Sequence, residues 1–257
     1  MQTHKNTFKV ALAAKQSQNG IWMALADPTC TEICASAGFD AVVIDGEHAP
    51  NDIPKILDNL RAAGNHASHA IVRPVIGDVN AIKQILDVGA QTLIIPMVET
   101  AEQAAHLVRA TRYPPFGIRG VAGSIVRASS YGRQPKYLAE ADNEICLIVQ
   151  IETKSALDNI EAIAAVDGVD GLFIGPADLS SSMGHRGNPG HPEVQAAIDS
   201  AIKRIRAAGK APCILTTDVA AAKRHFELGC LFVAVGVDVA MLAKATADLA
   251  AQFSRQG

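Results

Sequence analysis

The chain has 257 residues, 49% of them apolar and 19% charged, with a formal net charge of −3. That length can bury a sizeable core as one α/β barrel or as two small domains. Charges of both signs are interspersed with no Lys/Arg block, which excludes an electrostatic pull toward nucleic acid or an anionic membrane and leaves a small-molecule partner as the expectation. No apolar run reaches the roughly 18 residues of a membrane span, and no signal-type apolar segment follows Met1 to Lys5, so a cytoplasmic protein is expected. Cys30, Cys34, Cys146, Cys213 and Cys230 are odd in number and lie mostly in apolar segments, which reads as reduced core thiols. Cys30 and Cys34 stand one helical turn apart, but no partner ligands for a soft metal accompany them.

A strand of about five apolar residues, a polar turn and an amphipathic helix recur along the chain. An opening helix is expected over Thr7 to Lys15, then the strand Ile21 to Leu25, a helix from Pro28 to Ala37 and the strand Ala41 to Ile44. Asn51 can cap a helix to Ala63, and Ala70 to Val72 make a strand ending at Arg73-Pro74. Asp78 caps a helix that carries Ile82, Ile85, Leu86 and Val88 and ends at Gly89. Leu93 to Pro96 and the helix Ala101 to Thr111 follow. The pattern then lapses from Tyr113 to about Asn143, a long irregular insert of the kind that is functional or disordered. It resumes with the strand Cys146 to Ile151, the helix Ser155 to Ala164 and the strand Val169 to Ile174. The helix Pro192 to Ala208, strand Pro212 to Leu215, helix Val219 to Leu228, strand Phe232 to Val235 and helix Val239 to Phe253 complete the series. Eight strands, each with a following helix and no composition break, predict an α/β chain folded as a single (β/α)8 TIM barrel over residues 1–257, with an extra N-terminal helix. An open doubly wound sheet fits less well, because no Gly-x-Gly-x-x-Gly follows the first strand.

Barrel chemistry stands at the C-terminal strand ends. Those positions hold Asp45, Glu47 and His48, then Arg73, Glu152 and Asp178. Glu152 and Asp178 end neighbouring strands, and two adjacent anions require a cation or a shared proton. With no cysteine or histidine cluster beside them, a hard octahedral ion, Mg²⁺ or Mn²⁺, suits the pair. On pattern alone the alternative stands equally: Glu152 caps the next helix and Asp178 pairs with Arg186. Taken alone, His48 is more often a turn histidine than a base and Arg73 more often a member of a surface ion pair than a substrate clamp; their joint placement on one barrel face points toward catalysis. Trp22 falls near the mouth or packs in the core.

Taken together, Ile44-Asp45-Gly46-Glu47-His48-Ala49-Pro50, Val72-Arg73-Pro74, Arg112-Tyr113-Pro114-Pro115 to Gly117-Ile118-Arg119-Gly120, Val149-Gln150-Ile151-Glu152 and Gly175-Pro176-Ala177-Asp178-Leu179-Ser180 resemble the HpcH/HpaI class II pyruvate aldolases over nearly the whole chain. The 4-hydroxy-2-oxoheptanedioate aldolase branch is the most similar. The resemblance implies a lyase splitting 4-hydroxy-2-oxo acids into pyruvate and an aldehyde such as succinic semialdehyde. Glu152 and Asp178 would bind a divalent metal ion (Mg²⁺, Mn²⁺ or Co²⁺), Arg73 would stabilise the enolate, and His48 would be the base, oriented by Asp87. The turn Gly175-Pro176-Ala177-Asp178 would receive the pyruvate carboxylate on its amides, Gln150, Trp22 and Leu215 would contact substrate, and Asp45 and Glu47 would support the site. A homohexamer, a dimer of trimers with the C-terminal helix Val239 to Phe253 exchanged between subunits, is also implied.

Other readings stand beside this one. A Schiff-base aldolase would need a strand-borne lysine, and the nearest, Lys154, falls on the helix side of Glu152. The citrate lyase β and malyl-CoA lyase branch lacks support in the Asp45 to Pro50 segment and in any basic CoA patch. A silent barrel that only binds a 2-oxo acid is the remaining class. Arg119, Arg127 and Arg133 either line the mouth and meet a diacid's second carboxylate or solvate the insert, whose glycines Gly117 to Gly132 shape a loop. Tyr131, where the resemblance leads one to expect tryptophan, and the stretch Leu215-Thr216-Thr217-Asp218 depart from the pattern. These positions bear on the aldehyde, so 2-dehydro-3-deoxyglucarate and 2-keto-3-deoxy-rhamnonate aldolase activities stay open.

Overall fold

The computed structural model describes residues 3–253. Eight parallel strands, β1 (Gln18–Met23), β2 (Ala41–Asp45), β3 (His69–Arg73), β4 (Thr92–Ile95), β5 (Cys146–Ile151), β6 (Gly171–Ile174), β7 (Ala211–Leu215) and β8 (Phe232–Val237), pair in sequence order, and β8 returns to β1 to close a barrel. Around them run α1 (Thr7–Ala13), α2 (Pro28–Ser36), α3 (Ile53–Ala63), α4 (Val79–Asp87), α5 (Ala101–Thr111), α6 (Tyr137–Glu140), α7 (Lys154–Asp158), α8 (Ile160–Ala164), α9 (Pro176–Ser182), α10 (Pro192–Ala207), α11 (Val219–Leu228) and α12 (Asp238–Ala251). This is the expected (β/α)8 barrel with an added N-terminal helix.

The strands are apolar on both faces because both faces are covered: β2, β4, β5 and β6 are buried at every position. Side-chain caps set the helix starts at Asp27, Asp78, Thr100 and Asp218. α1 closes the N-terminal end of the barrel, where the buried Phe8 meets the Phe232 ring edge-on at 5.2 Å and stacks on His69 at 5.5 Å.

Several expected boundaries move, each for a physical reason. β1 begins at Gln18 rather than Ile21, because the polar Gln18 and Asn19 still pair with Phe232 and Val233. Asp52, not Asn51, caps α3; the Asn51 side chain is drawn inward to donate to the Asp45 carbonyl at 2.7 Å. The helix expected from Ser155 to Ala164 breaks at Asn159 into α7 and α8. The insert after α5 packs against α4 and α5 through Arg119 and α6 rather than standing free. Asp238, at the head of α12, accepts the N–H groups of Ala24 and Leu25 at 2.8 and 3.1 Å, and beyond it Val239, Met241, Leu242 and Leu249 are exposed. All five cysteines are free thiols, with Cys30 and Cys34 packed beside Ile21 and Met23. Among the described residues no helix is long and apolar enough to cross a membrane.

Burial depresses the His69 imidazole to about 4. In the unfolded chain it protonates near 6.5, so the unfolded state binds more protons in between and stability rises with pH across that window. Acidification from pH 7 to pH 4.5 is expected to remove about 2–3 kcal/mol through this residue alone. Urea unfolding of the wild type and of His69→Phe at both pH values checks it; the variant should show the shallower pH dependence.

Candidate active site

The C-terminal ends of β2, β3, β5 and β6 bring together most of the residues picked from the sequence. β2 and β3 run in a register that sets Asp45 opposite Arg73, and the two side chains lock in a bidentate pair: Arg73 Nε donates to Asp45 Oδ1 at 2.9 Å and Nη2 to Oδ2 at 2.7 Å. The remaining Arg73 nitrogen, Nη1, lies 2.7 Å from Glu47 Oε2. The guanidinium also stacks over the Trp22 ring with Cζ 4.7 Å from its centroid, so Trp22 serves the core and the arginine at once. Arg73 is thus fixed on three sides and 7% exposed.

A turn after β2 presents the next residues. Asp45 Oδ1 accepts the backbone N–H of Glu47 at 2.9 Å, which holds His48 at the rim with its side chain 66% exposed and Nε2 3.8 Å from Glu47 Oε2. Burial pushes the Asp45 carboxyl up, but the hydrogen bonds and charge of Arg73, helped by Trp22, outweigh it and leave the group below the usual aspartate range. For Glu47 burial wins over Arg73 and His48, and its carboxyl is raised.

Glu152 follows β5 and is buried. Its Oε1 accepts the Met97 N–H at 2.8 Å and its Oε2 accepts from Gln150 Nε2, while Gln150 Oε1 is buried without a hydrogen-bond partner among the described residues. A Cβ at Gly175 would stand 2.6 Å from Glu152 Oε2, so only glycine leaves room for the carboxylate there. Burial raises the Glu152 carboxyl against the hydrogen bonds from Gln150 and Met97 that hold it down, with smaller contributions from the Asp178 charge, which raises it, and Arg73, which lowers it. Asp178 itself is exposed in the first turn of α9, a helix that the Gly175-Pro176 pair conceals in the sequence because it reads as a turn. Neither structural alternative is realised: Thr153, not Glu152, caps α7, and Asp178 forms no ion pair with Arg186 among the described residues. Leu215 ends β7, half-buried.

Asp45 and Glu47 pair with Arg73, Glu152 lies within electrostatic reach of it, and the exposed Asp178 lies within reach of Glu152, a formal charge of −3 over these five side chains, with Glu152 buried and Gly175 keeping space beside it. Such a donor set, all oxygen and short of positive charge, fits a hard divalent cation.

Two expectations are not met within one chain. Asp87 ends α4, at the N-terminal side of the barrel, and pairs with Arg119 at 2.8 Å rather than with His48. Arg119, fully buried against Tyr113 and Tyr137, does not line the mouth, and Arg127 donates to the Val88 carbonyl at 2.9 Å. Arg133 and Arg127 face a cavity of about 550 Å³, with His66, His69 and Gly89, at the end opposite the acids. The insert runs down the barrel wall, where its fully buried Arg119 reaches the half-buried Asp87 at the end of α4.

A relay of buried polar side chains was missed. Thr31 Oγ1 donates to Asn59 Oδ1 at 2.7 Å, Asn59 Nδ2 to Asn51 Oδ1 at 3.0 Å, and Asn51 Nδ2 to the Asp45 carbonyl. Its signal was present: Asn59 sits on the inward stripe of α3 with Ile56, Leu60 and Ala63. Asn59→Leu, which strands Asn51 Oδ1, is expected to destabilise the fold by about 1–3 kcal/mol and to lower kcat about tenfold with little change in KM, by loosening the turn that holds Asp45 and Arg73. Steady-state kinetics beside thermal melts check both effects.

An arginine clamped by acids, with the Glu152 and Asp178 carboxylates, stands at the C-terminal mouth of a (β/α)8 barrel, the face where barrel enzymes carry their active sites. Comparison with known proteins sharpens the class. The HpcH/HpaI aldolase/citrate lyase family model matches residues 18–245. The chain is 56% identical over 248 residues to a hydroxypyruvate/pyruvate aldolase from Pseudomonas aeruginosa, covering 96% of this chain and 92% of that protein. It is 55% identical over 252 residues to a 4-hydroxy-2-oxo-heptane-1,7-dioate aldolase from Salmonella dublin, covering 98% and 96%. A crystal structure of an HpcH/HpaI aldolase/citrate lyase family protein from Burkholderia cenocepacia J2315 superposes with a TM-score of 0.93 at 39% identity, over 96% of this chain and 99% of that one. The chain belongs to the HpcH/HpaI aldolase/citrate lyase family, a family of lyases.

Proposed function

We propose that this chain is a divalent-metal-dependent pyruvate aldolase that reversibly cleaves 4-hydroxy-2-oxo acids into pyruvate and an aldehyde. The observation that carries the reading is the buried Glu152 carboxylate beside Asp178, with a rigidly held Arg73 close enough to be felt by it. Glu152 and Asp178 would hold a divalent ion, Mg²⁺, Mn²⁺ or Co²⁺, which when bound would supply Lewis-acid polarisation of the substrate's keto group. Everything else falls to the side chains. Arg73, fixed by Asp45 and Glu47, donates to the keto oxygen as negative charge gathers on it. His48, exposed at the rim, takes the proton of the C4 hydroxyl directly or through water; the C3–C4 bond breaks, the aldehyde leaves, and C3 is reprotonated to the methyl of pyruvate. Ala177 and Asp178, in the first turn of α9, offer backbone N–H groups to the pyruvate carboxylate, with Gly175 and Pro176 setting their approach. Gln150 has an unpaired acceptor for a substrate or water donor, and Trp22 and Leu215 border the substrate.

The same reading makes the protein a cytoplasmic homohexamer. The exposed apolar row Val239, Met241, Leu242 and Leu249 on α12 favours exchange of that helix between subunits. Asp87, at the far end of its own barrel, would serve His48 only from a neighbouring copy. The names of the two relatives frame the substrate: the aldol donor is pyruvate or hydroxypyruvate, and the acceptor aldehyde is the variable half. The test is a retro-aldol panel of 4-hydroxy-2-oxo acids, including 4-hydroxy-2-oxoheptanedioate, after stripping with EDTA and on restoring Mg²⁺, Mn²⁺ or Co²⁺. Pyruvate released only with metal supports the reading; a protein that binds 2-oxo acids but releases none with any ion refutes it.

A further inference from the structure

The connection from α9 to α10 gathers three ligand-type side chains that the proposed reaction does not use. Gly184 and Gly187, both at positive φ, and the Asn188-Pro189-Gly190 stretch turn the chain back so that the His185 ring stacks on the His191 ring, centroids 3.6 Å apart and planes 14° from parallel. Glu193, in the first turn of α10, closes the group: its Oε2 lies 2.8 Å from His185 Nε2, and its backbone N–H donates to His191 Nδ1 at 3.3 Å. One ligand atom from each of the three residues lies within 4.8 Å of the others.

We propose that His185, His191 and Glu193 form a binding site for one divalent transition-metal ion of the Zn²⁺, Ni²⁺ or Co²⁺ kind, separate from the acid pair at the barrel mouth. Two imidazoles and one carboxylate are the donor set such ions select, whereas the all-oxygen mouth suits harder ions. The stack brings both rings beside the Glu193 carboxylate, and a small turn of the rings about their side-chain bonds would direct one nitrogen of each, with the carboxylate, at a single ion. Helix capping by His191 and a His185–Glu193 contact would each explain one of these distances. An exposed pair of this kind contributes little, about 0–1 kcal/mol, and does not explain why both rings and the carboxylate meet at one point.

Bonds of about 2.0–2.1 Å put two ligands of a tetrahedral ion about 3.3 Å apart, so the atoms must close by no more than about 1.5 Å. The loop permits it: nothing lies within 4 Å of a Cβ built at Gly184 or Gly187, so the turn is free to adjust. The bound ion ties the loop that leaves α9 to the first turn of α10, and α9 carries Asp178.

The experiment uses untagged full-length protein with the mouth silenced by Glu152→Gln/Asp178→Asn, dialysed against Zn²⁺ or Co²⁺ and assayed for metal per chain. Wild type saturated with Mg²⁺ provides the same count should the double variant fold poorly. One Zn²⁺ per chain is expected, with a visible Co²⁺ absorption band, and His185→Ala or His191→Ala should each weaken binding more than tenfold. His185→Ala in the otherwise wild-type chain should retain Mg²⁺-supported turnover. Zero Zn²⁺ per chain in the silenced protein, or binding unchanged by both histidine substitutions, would overturn the site. Neither result bears on the proposed aldolase reaction.

Discussion

Glu152→Gln is expected to abolish metal-dependent retro-aldol turnover, by about 10³-fold or more, while raising the melting temperature of the metal-free protein by about 2–4 °C. The two effects have one cause. Glu152 is buried, and burial together with the Asp178 charge pushes its carboxyl up, so holding it ionised at neutral pH costs stability in the absence of a cation. The amide removes that charge. Both existing contacts can persist, because Met97 can still donate to an oxygen and Gln150, whose Oε1 has no partner, can flip to accept from the new amide. A folded-state carboxyl raised above its unfolded value binds more protons folded than unfolded, so the wild type is penalised as pH rises through the raised value. The stability advantage of the variant should therefore be widest at neutral pH and shrink on acidification. Added Mn²⁺ should raise the wild-type melting temperature and leave that of the variant where it was. Thermal melts with and without Mn²⁺ at two pH values, beside a pyruvate-release assay, check all of this.

Arg73→Lys should lower kcat by about 10²–10³-fold with a much smaller change in KM. Lysine keeps the charge but not the planar fork, and all three guanidinium nitrogens are in use: Nε and Nη2 on Asp45, Nη1 on Glu47. A single ammonium cannot hold both carboxylates and also aim a donor at the substrate's keto oxygen. Because the lost interaction strengthens as charge gathers on that oxygen, the deficit belongs to the transition state and appears in kcat. Arg73→Met, which leaves the buried Asp45 and the half-buried Glu47 without a counter-charge, should in addition lose about 3–5 kcal/mol of stability. Kinetics and urea unfolding of the two variants separate the geometry of the fork from its charge.

Much of the barrel is legible in the sequence because its strands are buried on both faces and its helices on one. Cys146–Ile151, Ala101–Thr111 and Val219–Leu228 are readable to the residue. The failures are local competitions that periodicity cannot arbitrate. Asn51 and Asp52 are adjacent candidates for one cap, and the contest is decided by the Asp45 carbonyl, which takes the Asn51 amide. The Gly175-Pro176 pair reads as a turn, yet proline is also a favoured first residue of a helix, and α9 begins there. For the site, strand-end placement points to Asp45, Arg73 and Glu152, because their register follows from the strands themselves. The partners of Asp87 and Arg119 depend on how the 113–143 insert returns along the wall, a long-range choice that no local pattern encodes.

The most direct measurement is proton exchange at the methyl group of pyruvate in D₂O, followed by loss of its NMR signal. The proposed chemistry predicts exchange that requires a divalent ion, stops on EDTA treatment, resumes on adding Mn²⁺ or Mg²⁺, and is nearly absent in Arg73→Lys. Exchange that persists in EDTA and becomes irreversibly trapped on a lysine by borohydride would contradict it.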